Sequence, residues 1–346
     1  LRETGARLVI GTQYRSRVAE LLEQAVAEGT QLVAVESLQS APFETLSIRA
    51  HEGHTRAVMK VQEGCDNRCT YCIIPSVRGG VRSKPVADVR AEAQTLADAG
   101  FQELVLTGIH LTSYGRDLEG NVTLADAIRA AHEAEGVRRI RLGSLEPVVV
   151  SQGFVDAIKT MPMLCPQFHL ALQSGSDAVL ARMKRRYNTA QFRMAVERLR
   201  AAYPDAAFTT DVIVGFPGET DEEFAQTVAF VKEIGFMRLH VFPFSPREGT
   251  PAATMAQQVP QTVKEARVRE LIAVGQALAA DYDAALLGTV QPVLLEESLG
   301  EGRFGGYTPQ YVHVEVQGGE TGRIARTRLC AIAKEGMTGE VVELLA

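Results

Sequence analysis

Three of the five cysteines, Cys65, Cys69 and Cys72, fall within eight residues in the pattern C-x-x-x-C-x-x-C, which brings three thiols to one loop. Clustering of that kind asks for a metal. Zinc takes four closed ligands, commonly from two C-x-x-C-like pairs, and no second pair or neighbouring histidine completes a set. Covalent haem needs C-x-x-C-H, whereas Ile73 follows Cys72. A 4Fe-4S cluster held by three cysteines leaves one iron with an open position, a poor design for electron transfer but suited to binding a substrate directly. The spacing therefore favours an iron–sulfur cluster over zinc or inert thiols. Cys165 and Cys330 are isolated and read as packing or bystander positions.

The loop needs a frame, and the chain has the means to build one. It has 346 residues, 46% hydrophobic and 23% charged, which excludes a disordered or fibrous chain and suggests about two domains. Five sparse cysteines make a disulfide framework improbable. Net charge is −6, so any nucleic-acid site must be local. Basic runs occur at Arg138, Arg139 and Arg141, at Arg182, Lys184, Arg185 and Arg186, and at Arg323, Arg326 and Arg328. Each reads more readily as a solvated face than as a phosphate track. No apolar run reaches the ~18 residues that cross a bilayer, and the first ten residues lack the pattern of a secretory signal. The expectation is a soluble, cytoplasmic protein with no membrane partner.

Short apolar runs at 58–61, 103–106, 139–142, 168–172, 207–214 and 239–242 alternate with helical patterns. Pro85 reads as a first-turn proline, Ser176 as an N-cap, and Thr220 with Glu223 as a capping box. Strand–helix alternation implies parallel strands with right-handed crossovers. Six units fall short of the eight-unit closed barrel, which predicts an α/β fold of the partial (β/α)6 barrel type. After Pro260 comes a long helix with apolar Val268, Leu271, Ile272 and Leu278, ending near Gly288. From there, runs at 290–295, 311–316, 321–329 and 340–344, punctuated by Gly305-Gly306 and Gly318-Gly319, predict a small all-β barrel. On its third run Arg326 and Arg328 share a face. Before Ala57, a helix at 18–26 and a strand-like stretch at 46–49 supply no recognisable site.

The ligand that suits the open iron of a cubane is S-adenosylmethionine, whose amino and carboxylate groups can chelate the metal. Cys65, Cys69, Tyr71 and Cys72 meet the pattern C-x-x-x-C-x-aromatic-C, in which the sequence resembles the radical S-adenosylmethionine superfamily. The resemblance implies further cofactor contacts at strand ends. Gly108, Ile109 and His110 would form the turn that receives the methionine ammonium. Ser144 and Glu146 would meet the ribose or the amino group, and Gln173 and Ser174 would offer donors. Arg185 would take the carboxylate, and Asp211, Ile213 and Gly215 lie in the segment that meets the adenine. Plain structural roles are the competing readings: a strand-to-helix turn at Gly108, a helix cap at Glu146, a surface arginine at Arg185.

Within the superfamily, the stretch from Cys69 to Pro75 with Arg78-Gly79, then Gln173-Ser174-Gly175-Ser176, then Phe244-Ser245-Pro246-Arg247 with Gly249-Thr250-Pro251-Ala252, resembles the methylthiotransferases. Gln173-Ser174-Gly175 points to the tRNA-modifying branches rather than the ribosomal-protein branch. Gly108-Ile109-His110, Tyr114-Gly115 and the run from Val241 to Arg247 are most similar to the branch acting on N6-threonylcarbamoyladenosine; the isopentenyladenosine branch is the alternative, and a non-catalytic RNA-binding protein with a structural metal the more distant one. The resemblance implies domains at 1–54 (the remnant of an N-terminal methylthiotransferase domain), 55–286 (a radical SAM partial barrel) and 287–346 (a TRAM-like RNA-binding barrel using Arg323, Arg326 and Arg328). It also implies a tRNA anticodon stem-loop as partner and an electron donor such as flavodoxin or ferredoxin. Two S-adenosylmethionine molecules would be used, one to methylate a sulfur and one for hydrogen removal at carbon 2 of the adenine. Family members carry a second 4Fe-4S cluster on three further N-terminal cysteines that this sequence lacks. The expectation is that the chain as given cleaves S-adenosylmethionine without transferring a methylthio group.

Overall fold

The computed structural model describes residues 5–38, 41–44, 55–334 and 336–345. At the N-terminal end, β1 (Leu8–Ile10) and β2 (Leu32–Ala34) pair in parallel across α1 (Val18–Glu28), the helix expected there. The strand-like stretch expected at 46–49 lies outside the described residues.

All six expected strands form. β3 (Arg56–Glu63), β5 (Glu103–Gly108) and β6 (Arg139–Leu142) pair in parallel, with the two-residue β4 (Arg82–Ser83) antiparallel on the free edge of β3. β7 (Gln167–His169), β8 (Ala207–Val214) and β9 (Arg238–Pro243) form a second parallel sheet. Isolated bridges from Ile140 to Leu164 and from Leu145 to Leu170 join the two, so the six parallel strands make one curved wall. Helices α3 (Val86–Asp98), α4 (Leu124–His132), α5 (Gln152–Ile158), α7 (Thr189–Ala202) and α8 (Asp221–Ile234) belong to the crossovers, with short α2 (Ile74–Arg78) and α6 (Asp177–Arg182) near the strand ends. Alternation along β8 explains its burial: Phe208, Val212 and Val214 join the apolar core, while Asp211 and Ile213 line a cleft on the concave side.

Helix starts follow local chemistry with one correction. The Thr220–Glu223 capping box forms, each side chain accepting the other's backbone N–H at 3.2 and 3.0 Å. Pro85 sits at the cap, with α3 beginning at Val86, so it is not a first-turn proline. Ser176 holds the N-cap position of α6 as expected, with its hydroxyl donating to Gln226 Oε1 and making no capping bond. In α9 (Gln261–Leu286) Leu271 is buried, whereas Ile272 faces solvent.

The C-terminal region is a closed five-stranded barrel of β10 (Val290–Gly300), β11 (Arg303–Tyr307), β12 (His313–Gln317), β13 (Ile324–Ile332) and β14 (Met337–Leu344). β11 contains the Gly305-Gly306 pair that reads as punctuation in the sequence. A Cβ on Gly306 would stand 2.1 Å from the Leu294 carbonyl oxygen, so the glycine marks a close strand approach and not a turn.

The arginines of β6 clamp this barrel to the wall. Arg139 donates to the carbonyls of Tyr307 (2.9 Å) and Pro292 (2.7 Å), and Arg141 to that of Pro309 (2.9 Å). Both are buried around the fully buried Glu103, whose carboxylate accepts from Arg141 at 2.8 Å. Two of this run's three arginines therefore form an internal tie, and only Arg138 stands on the solvated face expected. Burial pushes the Glu103 carboxyl up, but the charges of Arg141, Arg139 and Arg56 and the Arg141 hydrogen bond outweigh it and hold it below the usual range. A depressed carboxyl contributes stability above its unfolded value of about 4.3, and that contribution is lost as pH falls through the lower folded value. Thermal melts between neutral pH and about pH 3 should therefore show a smaller acid-induced fall for Glu103→Gln than for the unaltered protein. Equal falls would remove Glu103 from the acid response.

Candidate active site

The cysteine loop leaves the carboxyl end of β3, where barrel sites are built. Gly64 turns the chain at φ +72°, and a Cβ there would stand 1.8 Å from the Gly80 carbonyl oxygen. Cys65 N–H then bonds the Gly79 carbonyl (3.0 Å), Thr70 N–H the Met183 carbonyl (3.1 Å), and the Thr70 carbonyl accepts from Ala252 N–H (2.8 Å). The loop is thus pinned by segments distant in sequence. Its three cysteines line one cleft of about 630 Å³.

The same cleft is also lined by Tyr71, Ile109, His110, Ser144, Glu146, Gln173 and Arg185. The structure thus gathers most of the residues singled out from the sequence. Glu146 is buried and central: its Oε1 accepts from Asn67 Nδ2 (3.0 Å) and pairs with Arg185 Nη2 (2.7 Å), and its Oε2 lies 3.2 Å from His110 Nε2. Burial raises its carboxyl, but the His110 hydrogen bond and the Arg185 charge prevail and keep it below the ordinary value. Its side chain makes no helix-cap bond. Arg185, far from being a surface residue, is buried; Nη1 donates to Cys69 Sγ (3.2 Å) and Tyr71 Oη (3.4 Å), and Nε to Tyr187 Oη (3.0 Å).

The donor set fits a cluster. Among the described residues, the one group of three metal-capable side chains with ligand atoms within 4.8 Å of one another is His169, Asp211 and His240. The three cysteine sulfurs are therefore spread wider than one tetrahedral ion would hold them, as suits ligands to separate irons. Cys65 Sγ accepts from Asn67 N–H (3.4 Å), and the Arg185 guanidinium supplies positive charge beside Cys69. Burial pushes the Cys65 thiol up to about 11. A metal must therefore draw off that proton as it binds.

Gln62 and Asn67 were not singled out from the sequence. Gln62 is fully buried; its Nε2 donates to the carbonyls of Glu63 and Gly64 (both 2.8 Å), and its Oε1 accepts from His110 N–H (2.6 Å). It ties the cysteine loop to the turn after β5. A Cβ on Gly108 would stand 2.8 Å from Gln62 Cβ, so that glycine makes room for this tie. The strand ends Val61-Gln62-Glu63, and nothing in that run marks Gln62 as the tie.

A second cleft of about 1,070 Å³ adjoins the first, sharing Tyr71, Cys72 and Gln173 and adding Asp211, Ile213, Phe242, Ser245 and Arg247. Gln173 holds φ +65° between the two. Three predicted contacts line neither of these clefts. Gly108 stands against Gln62; Ser174 is fully buried and its hydroxyl meets Thr227 and the Ser176 N–H; Gly215 N–H donates to Glu219 Oε2 at 2.6 Å. All three serve the scaffold. On the terminal barrel, Arg326 and Arg328 do project outward from β13, with Arg326 paired to Glu343 (3.2 Å), while the Arg323 guanidinium is committed to the Leu345 carbonyl.

Comparison with known proteins agrees with this picture. Residues 59–231 match the Radical SAM superfamily. The chain is similar to the threonylcarbamoyladenosine tRNA methylthiotransferase MtaB of Bacillus subtilis, with 39% identity over 349 residues covering 98% of this chain and 77% of that protein. It is also similar to the tRNA-2-methylthio-N(6)-dimethylallyladenosine synthase of Akkermansia muciniphila, 39% identical over 307 residues, 84% of this chain and 67% of that one. Among solved structures, the radical S-adenosylmethionine methyltransferase TsrM from Kitasatospora setae, with cobalamin and a 4Fe-4S cluster bound, superposes with a TM-score of 0.50 at 16% identity, over 57% of this chain and 38% of that one. At that identity the likeness is one of fold.

Proposed function

This chain belongs to the radical SAM superfamily, among its tRNA methylthiotransferases, and we propose that it acts in methylthiolation of carbon 2 of N6-threonylcarbamoyladenosine in tRNA. The observation that carries the reading is the single cleft at the strand ends, lined by the three cysteines together with Glu146, Arg185 and His110. Cys65, Cys69 and Cys72 would hold a 4Fe-4S cluster, and with S-adenosylmethionine bound it supplies one-electron cleavage of a carbon–sulfur bond.

The protein's own residues bind and aim. Tyr71, Ile109, His110, Ser144 and Gln173 line the space next to the sulfurs and would hold the cofactor, with Asp211 and Ile213 toward the adenine. Glu146 fixes Arg185, His110 and Asn67 in one network and acts as a positioning residue. The adjoining cleft would take the substrate base. Arg247, Ser245 and Gln173 there suit the carboxylate and hydroxyl of a threonylcarbamoyl group better than a purely apolar isopentenyl tail. The terminal barrel, read as TRAM-like, would meet the tRNA through Arg326 and Arg328. The electron would come from a donor of the flavodoxin or ferredoxin class.

Anaerobically reconstituted protein, given S-adenosylmethionine, dithionite and anticodon stem-loops carrying either modified adenosine, provides the test. The threonylcarbamoyl stem-loop should raise 5′-deoxyadenosine release at least about tenfold more than the isopentenyl one. The reverse preference would place the chain in the sister branch. Zinc in place of iron, with no cleavage, would make it a binding protein.

A further inference from the structure

Apart from the cysteine loop, three metal-capable side chains meet on the second parallel sheet. His169 ends β7, Asp211 lies in β8 and His240 in β9, with Asp211 and His240 direct cross-strand partners. One ligand atom of each lies within 4.8 Å of the other two. His169 Nε2 is 3.3 Å from Asp211 Oδ2, and the two imidazole centroids are 5.9 Å apart. Behind this group, His169 Nδ1 meets Thr209 Oγ1 at 3.0 Å, and the same hydroxyl accepts from Gln167 Nε2 at 3.1 Å. With Nδ1 engaged by an outer hydroxyl, Nε2 is the nitrogen turned toward the other two side chains, which is how ligating histidines are commonly oriented.

We propose that His169, Asp211 and His240 form a second metal site, separate from the cysteines, that takes one first-row divalent cation of the zinc or cobalt type. Two imidazoles and a carboxylate are a borderline donor set that suits those ions and not the hard alkaline-earth ones. Three protein ligands leave a coordination position open, as in catalytic rather than structural zinc sites. Asp211 also lines the second cleft, which places one ligand of the proposed site at its wall. The competing arrangement is a metal-free hydrogen bond between His169 and Asp211 with a bystander His240.

Cobalt(II) titration of the full chain, with its thiols blocked by alkylation, separates the two. The metal site predicts one equivalent of cobalt with visible d–d bands and no sulfur-to-cobalt charge transfer. His240→Ala should weaken binding more than about 100-fold and Thr209→Val by about 10–100-fold, since loss of a direct ligand exceeds loss of an outer partner. His240 is exposed, so its removal should leave the melting temperature of the metal-free protein unchanged, and His240→Gln serves as a second variant. No cobalt bound once the thiols are blocked, or equal affinity in His240→Ala, overturns the proposal. The readout needs neither S-adenosylmethionine nor tRNA, so that result would leave the methylthiotransferase reading untouched.

Discussion

Cys69→Ala should abolish both the iron–sulfur chromophore and the reductive cleavage of S-adenosylmethionine. Cys69 is buried in the middle of its loop, with Arg185 Nη1 3.2 Å from its sulfur. Outer partners of metal ligands typically cost about 10–100-fold when removed, and a direct ligand should cost more. Iron content after anaerobic reconstitution and 5′-deoxyadenosine release are the measurements, with Cys65→Ala and Cys72→Ala expected to behave alike. Cys330→Ala is the control, because Cys330 is exposed and its thiol donates to the Arg328 carbonyl in its own strand. A Cys69→Ala protein that keeps about four irons per chain and cleaves the cofactor at the original rate would remove the cysteine loop from the mechanism.

Glu146→Leu should destabilise the protein by about 3–5 kcal/mol, the cost of leaving one member of a buried ion pair without its partner. Glu146 and Arg185 side chains are each 6% exposed and 2.7 Å apart, so solvent screening does little to soften the loss. Asn67 and His110 lose an acceptor at the same time. Chemical denaturation of metal-free protein reads this directly. Adding Arg185→Met to Glu146→Leu should restore much of the stability, since the stranded charge goes with it, although Cys69 then loses its guanidinium neighbour. If the double variant is no more stable than Glu146→Leu alone, Arg185 is not the group that Glu146 neutralises.

The wall of the fold was legible because its parallel strands read as short runs between helical patterns. The observed bounds of β6 and β8 coincide with the expected 139–142 and 207–214. Charge was harder to read. Arg139, Arg141 and Arg185 look like members of solvated runs, yet each is buried against a carboxylate distant in sequence, and only the three-dimensional pairing reveals it. Glycine was ambiguous in a similar way: Gly306 relieves a close approach inside β11, Gly108 makes room for Gln62, and neither signals a ligand by itself. At the site, residue types with unusual spacing were found, and residues whose role lies in joining two loops, Gln62 and Asn67, were not. Ser174 and Gly215 sit beside cleft residues in sequence but hydrogen-bond within the scaffold.

β3 runs the full height of the wall. At its foot Arg56 pairs with Glu296 of the terminal barrel at 2.9 Å, and just past its head stands Cys65. Eight extended residues at about 3.3 Å each put some 26 Å between these ends. With the barrel tied down by Arg139 and Arg141, that separation acts as a fixed ruler. A ligand that touched both the barrel and the sulfurs would have to bridge that distance, which is longer than a free nucleoside, so such a molecule could occupy only one end.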